Sequence, residues 1–157
     1  ICRDQGTLML MSDIGRLLRL RVTEEALPLM GRLAQGPMTM RLLPGEQIIG
    51  AICTEQTPLM LFSQRGLIAR IDCSGLRYNQ RGDLGSMAVQ IDAESDRLVG
   101  ISTGPSLVGV RTSKDRHGRL DPDNINISKP GDKPTEQTSL QNGETIVDVI
   151  IAIQPNP

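Results

Sequence analysis

The chain has 157 residues, of which 38% are hydrophobic and 1% aromatic, and its formal net charge is −1. This length allows a single domain over residues 1–157, with a core built from Leu, Ile, Val and Met rather than from aromatic rings. No apolar run reaches the length of a membrane span, and the net charge excludes a strongly basic nucleic-acid-binding protein. Any case for a nucleic-acid partner must therefore come from the local placement of cations.

The first predicted element is a β-hairpin over residues 8–22, with its turn at Ser12–Gly15. Apolar and basic residues alternate from Leu18 to Val22, and this period of two predicts a strand rather than a helix. Glycine at the end of a hairpin turn is suited to positive φ. We therefore predict that Gly15 has a positive φ.

A loop bounded by glycines follows the hairpin, from Gly31 to Gly36. An alternating segment at Met38–Leu42 predicts a third strand, and the apolar segment Ile48–Ile52 closes a unit of about four strands. The residues expected to be buried in this unit are Leu18, Leu20, Met38, Met40 and Leu42.

The same order of elements recurs in the next fifty residues. The segment Leu59–Cys73 aligns without a gap with Leu8–Val22 at an offset of 51, which places Gly66 at the position of Gly15. A loop at Arg81–Gly85 follows, and Leu98–Ile101 closes this unit. We predict a strand over Met87–Ile91, and the residues expected to be buried are Ala69, Ile71, Met87, Val89 and Ile91.

A third, degraded unit begins at Leu107–Thr112 and continues into a charged hairpin tip at Ser113–Arg119. The polar stretch Asp121–Gln141 contains three prolines and is predicted to be a loop. The segment Leu140–Val149 then matches Leu42–Ala51. Three such units, bounded approximately at 1–52, 53–102 and 103–157, predict an all-β, β-propeller-like chain of about three four-stranded antiparallel blades.

Sequence patterns typical of catalysis or metal binding are missing. Tyr78, although it follows Arg77, falls near the repeat position of Pro28–Leu29, which favours a surface-loop tyrosine over a nucleophile. His117 has no partner that would make it a base or a ligand. The three cysteines form no CxxC pair, so we expect neither a zinc site nor a disulfide framework, and a reduced cytoplasmic setting. We expect no catalytic residue, metal or cofactor in this chain.

Every cation between Ile1 and Asp92 is an arginine, whose planar guanidinium binds phosphate through two charge-assisted hydrogen bonds. Arg19 and Arg70 recur on strands, so one such residue per blade would form a discontinuous basic track. The residues alone leave two interpretations open, phosphate binding and simple solubilisation of a sheet face. The candidate phosphate-binding residues are Arg16, Arg19, Arg32, Arg41, Arg65, Arg70, Arg77, Arg81, Lys114, Arg116 and Arg119.

The repeat resembles the C-terminal repeat of the A subunit of bacterial type IIA topoisomerases, DNA gyrase and topoisomerase IV. In that family about six blades form a β-pinwheel, and DNA bends around its outer rim. The resemblance implies that the candidate residues bind double-stranded DNA independently of its sequence. It also implies two protein partners, the rest of the A subunit and the ATPase B subunit. It is carried by the glycines Gly15 and Gly66, the Arg-x-x-x-Gly loops Arg32–Gly36 and Arg81–Gly85, and the triplets Ile48–Gly50 and Leu98–Gly100.

Gyrase A subunits carry a Gln-Arg-Arg-Gly-Gly-Arg-Gly box, which the stretch Asn79–Gly85 matches only at Arg81, Gly82 and Gly85. The resemblance therefore leaves gyrase and topoisomerase IV unseparated. The near-neutral charge supports an alternative, a propeller-like protein-interaction scaffold without DNA binding. We also expect self-association, since three blades would leave an uncovered sheet flank around Ile1–Met11.

Overall fold

The computed structural model describes residues 3–54, 58–103 and 107–151, and its regular structure there consists of β-strands and one 3-10 helix at Pro122–Asn124. The first six strands are β1 (Thr7–Ser12), β2 (Arg16–Arg21), β3 (Ile48–Cys53), β4 (Leu59–Ser63), β5 (Leu67–Ile71) and β6 (Ser86–Met87). The remaining six are β7 (Leu98–Thr103), β8 (Val108–Thr112), β9 (His117–Leu120), β10 (Ile127–Ser128), β11 (Thr135–Glu136) and β12 (Ile146–Ile151). The all-β prediction is confirmed. Within these ranges no helix is long and apolar enough to cross a membrane.

The strands form three sheets, one centred on each predicted hairpin. The first has the order β3-β1-β2-β6, the second β10-β5-β4-β7 with β11 also on β5, and the third β12-β8-β9. Pairing is antiparallel except between β10 and β5. The expected four strands are therefore present in the first sheet, whereas the second has five and the third has three.

The hairpin turns of the first two sheets have the predicted conformation. Gly15 has a φ of 91° and Gly66 a φ of 84°, and both predictions are confirmed. In each turn a serine carbonyl, of Ser12 or Ser63, accepts from the glycine amide at 3.2 Å. The serine hydroxyl accepts from the amide of the first residue of the next strand. The repeated Ser-x-x-Gly sequence thus specifies the same turn twice.

Two apolar layers join neighbouring sheets, because successive residues of each strand face opposite sides. Between the first and second sheets lie buried side chains that include Met9, Met11, Leu17, Leu59, Leu61 and Ile71. Between the second and third sheets lie Met60, Phe62, Ile68, Val108, Val110 and Ile146. The core is therefore aliphatic, with Phe62 as its aromatic contribution.

The first two sheets are each completed by a segment from the following repeat. Strand β6, from the second repeat, pairs with β2 of the first sheet, and β10 and β11, from the third repeat, both pair with β5. The stretch Asp121–Gln141 therefore contains a helix and two short strands, and its prediction as a plain loop is wrong. Its strands are hard to find from sequence because they pair outside their own hairpin.

The strand predicted over Met38–Leu42 is also wrong, since this segment is irregular and Met38 and Leu42 are exposed. Its counterpart in the second repeat forms a strand only at Ser86–Met87, where it reaches the preceding sheet, and Met87 is exposed too. Among the described residues no earlier sheet lies beside Met38–Leu42. The other expected core residues are buried, except Ile91, which is half-buried.

The predicted uncovered flank is wrong over the part that the structure describes. Strand β1 lies between β2 and β3, so both of its edges are hydrogen-bonded. Leu8 and Leu10 are half-buried and pack against a cluster formed by Leu18, Leu20 and Met40. Residues 1 and 2 of this flank lie outside the described residues.

Candidate nucleic-acid interface

Arg16, at the start of β2, is 7% exposed and is part of the interior. Its Nε donates to Glu46 Oε1 at 2.9 Å, its Nη2 pairs with Glu46 Oε2, and its Nη1 donates to the carbonyl of Leu84 at 2.7 Å. Burial alone would raise the pKa of Glu46, but hydrogen bonds from Arg16 and the Leu43 amide hold the pKa below its usual value. Arg16 thus fixes the hairpin to two loops, and its burial keeps the guanidinium away from an incoming phosphate.

The hairpin tip of the third sheet uses its cations in a similar way. Arg116 Nη1 pairs with the buried carboxylate of Glu144 at 2.7 Å, and Thr112 also donates to that carboxylate. The Thr112 hydroxyl is the main reason that the pKa of Glu144 lies below its usual value. Lys114 Nζ donates to the carbonyl of Asn142 at 3.1 Å. Both cations are therefore already engaged within the protein.

Arg19, on β2, clamps the first sheet to the second repeat. Its Nη1 donates to the carbonyls of Ser74 at 2.9 Å and Leu76 at 2.8 Å. Its guanidinium carbon also lies 4.3 Å from the centre of the Tyr78 ring. This strand arginine holds the chain that follows β5.

Arg70, its counterpart on β5, forms the equivalent clamp one sheet later. Its Nη1 donates to the carbonyl of Pro122, the first residue of the 3-10 helix, at 2.7 Å, and to that of Ile125, just after the helix, at 3.3 Å. Its Nη2 pairs with Asp123 at 3.2 Å. The recurrence of Arg19 and Arg70 therefore has a structural explanation, namely the attachment of each sheet to the next repeat.

The remaining predicted cations are exposed. Their side chains make no hydrogen bond or ion pair with any residue in the ranges 3–54, 58–103 and 107–151. A free guanidinium keeps all five N–H donors for an incoming phosphate. These residues are Arg32, Arg41, Arg65, Arg77, Arg81 and Arg119.

Two of these arginines lie on neighbouring loop segments. The amide of Gly82 donates to the carbonyl of Thr39 at 2.8 Å, and the amide of Arg41 donates to the carbonyl of Asp83 at 3.0 Å. Arg81 immediately precedes Gly82, so Arg41 and Arg81 are brought to the same junction between the first two repeats.

Arg81 also lines a surface cleft of about 410 Å³ together with Arg21 and Tyr78. Arg21 stacks on the Tyr78 ring at 4.4 Å, and the Tyr78 hydroxyl is hydrogen-bonded to the Thr7 hydroxyl at 2.8 Å. Sequence reasoning missed Arg21, although its place in the alternating pattern of β2 is a usable signal. We call Arg21, Arg41 and Arg81 the basic loop cluster.

The backbone junction recurs between the second and third repeats. The amide of Gly131 donates to the carbonyl of Ala88 at 2.9 Å, and the amide of Gln90 donates to the carbonyl of Asp132 at 3.0 Å. Exposed Lys129 flanks this junction. Sequence reasoning missed it because no cation recurs at this position: the matching hydrogen bonds place Lys129 at the position of Gln80 and Pro130 at that of Arg81.

Groups suited to metal or thiol chemistry are few in the described part of the chain. It contains no cluster of three or more His, Cys, Asp or Glu side chains that could hold a metal ion. Burial raises the pKa of the Cys73 thiol to about 12, which keeps it protonated. Cys53 is disulfide-bonded, a bond that the sequence analysis, which expected no disulfide framework, did not foresee.

Comparisons with known proteins agree with the repeat architecture. The family model described as DNA gyrase C-terminal domain, beta-propeller, matches residues 6–55 and 57–103. The A subunit of DNA gyrase from Mycobacterium leprae (strain TN) is 30% identical over 101 residues, which cover 64% of this chain and 8% of that protein. The A subunit of DNA topoisomerase 4 from Synechocystis sp. (strain ATCC 27184 / PCC 6803 / Kazusa) is 29% identical over 93 residues, 59% of this chain and 10% of that protein. The chain thus spans about a tenth of these relatives.

Two solved structures have the same fold at low sequence identity. The C-terminal domain of DNA topoisomerase IV superposes with a TM-score of 0.80 at 15% identity, over 96% of this chain and 48% of that one. The C-terminal domain of E. coli ParC gives 0.73 at 19% identity, over 96% of this chain and 62% of that one. Because the family model covers well over half of the sequence, the chain belongs to the family of DNA gyrase C-terminal β-propeller domains.

Proposed function

We propose that the chain binds double-stranded DNA without reading its sequence, as part of the C-terminal domain of a type IIA topoisomerase A subunit. The observation that carries this proposal is the basic loop cluster, with Arg41 and Arg81 exposed and unpaired on adjacent segments. Guanidinium groups in this state match the phosphate backbone, which dominates non-specific DNA affinity.

The net charge of −1 does not count against this proposal, because phosphate contacts depend on where the cations lie rather than on the total charge. Ion pairs join Arg16 to Glu46, Arg70 to Asp123, Arg97 to Asp13, Arg111 to Asp148 and Arg116 to Glu144. Each pair removes one charge of either sign and leaves the total unchanged, but exposed Arg32, Arg41 and Arg81 stay outside these pairs as cations on the loops.

In this proposal the chain contributes no bond-breaking chemistry. Phosphate contacts along the outer loops hold a DNA segment and offset the cost of bending it. The bent DNA then presents a second segment to the catalytic part of the A subunit, where the cleaving tyrosine and Mg²⁺ would reside. The ATPase B subunit is the second partner, and the setting is the bacterial cytoplasm at the nucleoid.

A salt series with two unrelated DNA duplexes of equal length tests the proposal. Binding by the parent chain should be equal for both duplexes and should weaken as salt increases. Arg81→Glu should weaken binding to both duplexes and reduce the slope of log K against log salt by about 0.9 for each lost phosphate contact. Fluorescence anisotropy provides the measurement.

Arg111→Glu is the matched control, because it changes the net charge equally at a half-exposed arginine that is paired with Asp148 at 3.6 Å. It should retain parental affinity and slope. Equal binding by the Arg81→Glu variant, or a loss confined to one duplex, would refute the assignment. If the parent chain shows no salt-dependent DNA binding, the rival function, a protein-interaction scaffold, is favoured.

A further inference from the structure

The loop between β2 and β3 exposes an unusual amount of apolar surface in residues 29–38. Leu29 is 90% exposed, Leu33 96% and Met38 64%, and Met30 is also exposed. Apolar side chains concentrated in this way mark a surface that another molecule covers. We call residues 29–38 the docking segment.

The two repeat counterparts of the docking segment are each bound to the preceding sheet. In the second repeat the amide of Asn79 donates to the carbonyl of Arg19 at 2.7 Å, and β6 pairs with the start of β2. In the third repeat β10 and β11 pair with β5. In the second and third repeats this segment therefore has the same receptor, the second strand of the preceding hairpin.

Docking of this kind requires a glycine at the end of the receptor hairpin turn. A Cβ on Gly15 would lie 2.2 Å from the carbonyl oxygen of Val89, and a Cβ on Gly66 would lie 2.2 Å from Thr138 Oγ1. The carbonyl of Gly66 accepts from the Thr138 hydroxyl at 3.0 Å. Any side chain at these positions would displace the docked segment.

The third hairpin has Asp115 at this position. Its φ is 58°, and its amide donates to the carbonyl of Thr112 at 3.0 Å, so the turn matches those that end at Gly15 and Gly66. Strand β9 after this turn is an edge of its sheet, and no described segment pairs with its outer side. The turn is therefore formed, but its receptor position carries a charged side chain.

We propose that the docking segment binds a blade of the same fold whose hairpin turn ends in glycine, and that Asp115 excludes the third blade of this chain from that role. Gly36, just before Met38, supports this assignment. The Cβ of a residue at its counterpart Gly85 would lie 2.6 Å from the carbonyl oxygen of Leu17, whereas Gly36 has no atom within 4 Å. Gly36 is thus a glycine at a position where close backbone approach would require one, but the space beside it is open.

A consequence of this proposal is that another blade can bind this chain at the docking segment but not at the third hairpin. The sheets of Gly15 and Gly66 already hold segments of the same chain, and the third sheet is closed by Asp115. A second copy of the chain therefore offers no receptor, and the partner must be a different blade with a free Gly-ended hairpin. The solved C-terminal domains, of which this chain spans 48% and 62%, are long enough to contain such additional blades.

The Asp115→Gly variant tests this proposal through the self-association of the chain. Glycine keeps the positive φ and removes the side chain, so it creates a free receptor on the third blade. The Asp115→Gly chain should associate head to tail, with a sedimentation mass that rises from one chain to two or more across a hundredfold concentration range. The parent chain should remain monomeric over the same range.

Two further variants distinguish specific docking from non-specific association. Asp115→Asn tolerates positive φ but keeps a side chain, and it should stay monomeric. Adding Leu33→Ser and Met38→Ser to Asp115→Gly should return that chain to a monomer with an unchanged circular dichroism spectrum, because both residues are exposed. Amide hydrogen exchange should show protection of residues 29–38 only in concentrated Asp115→Gly.

Three results would overturn the proposal. The first is association of the parent chain or Asp115→Asn as strong as that of Asp115→Gly. The second is a strictly monomeric Asp115→Gly chain with a native circular dichroism spectrum. The third is association of Asp115→Gly that persists when Leu33 and Met38 are replaced by serine.

Discussion

Gly100 on β7 lies directly against Val149 on β12. A Cβ at Gly100 would be 2.3 Å from Val149 Cγ2 and 2.8 Å from Val149 Cβ. Gly50 on β3 stands in the same relationship to Ile101 on β7, at 2.3 Å from Ile101 Cγ2. The closing strands of successive sheets therefore meet through a glycine on one strand and a β-branched residue on the next, and this pairing sets how closely the sheets approach.

Replacement of Gly100 by alanine should destabilise the chain by about 1–3 kcal/mol, because the added methyl group overpacks a contact with a stiff β-branched side chain. Urea denaturation followed by circular dichroism measures the change. Gly75→Ala is the control, since Gly75 has no atom within 4 Å. Val149→Ala added to Gly100→Ala should recover part of the loss, and equal stability of the two single variants would contradict the contact.

The hairpins and their glycines were predictable because their signals are local. Alternation after Gly15 and again after Gly66 is read within fifteen residues of sequence, and both turns have the predicted φ. The closing triplets were also identified, although the packing reason for Gly100 was not. That reason lies in a contact between distant strands.

The segments that complete the first two sheets were not predictable, because they too depend on contacts between residues far apart in the sequence. Strand β6 is only two residues long and pairs with β2, about seventy residues earlier. Such a strand depends on its partner rather than on its own propensity. The structural roles of Arg19 and Arg70 were not predictable, because sequence recurrence does not report the hydrogen bonds that their side chains make.

Gly15→Ala and Gly45→Ala should differ in stability although both glycines have positive φ, 91° and 78°. Gly45 has no atom within 4 Å, so alanine there costs only the left-handed conformation, about 1–2 kcal/mol. At Gly15 the methyl group must also displace Val89, which should add about 1–3 kcal/mol. Thermal unfolding monitored by circular dichroism compares the two, and equal losses would show that Val89 does not contact the turn.

Arg70→Lys should destabilise the chain by about 1–3 kcal/mol, because an ammonium cannot reproduce the hydrogen bonds to Pro122, Ile125 and Asp123 together. Arg77→Lys, at an exposed arginine without a described partner, should stay within about 0.5 kcal/mol of the parent. Urea titration gives both values. The folded Arg70→Lys chain should bind DNA with the same affinity as the parent. A loss of DNA binding without a loss of stability would show that Arg70 contacts DNA.

The pair of Glu46 and Arg16 should make stability depend on acid pH. Hydrogen bonding lowers the pKa of Glu46 in the folded chain, so its contribution is complete above its ordinary pKa and is lost as the pH falls through the folded value. Stability of the parent should therefore decline as the pH falls below the ordinary Glu46 pKa of 4.5. Glu46→Gln should be about 3–5 kcal/mol less stable at pH 7, because Arg16 is left buried with a neutral partner.

Urea titrations at each pH supply the test of this dependence. The Glu46→Gln curve should be flatter than the parental curve between pH 5 and pH 3, whereas exposed Glu94→Gln should run parallel to the parent. Parallel curves for Glu46→Gln and the parent would show that another group carries the acid sensitivity. Because Glu144 has a lowered pKa and pairs with Arg116 in the third hairpin, Glu46→Gln/Glu144→Gln should be flatter still.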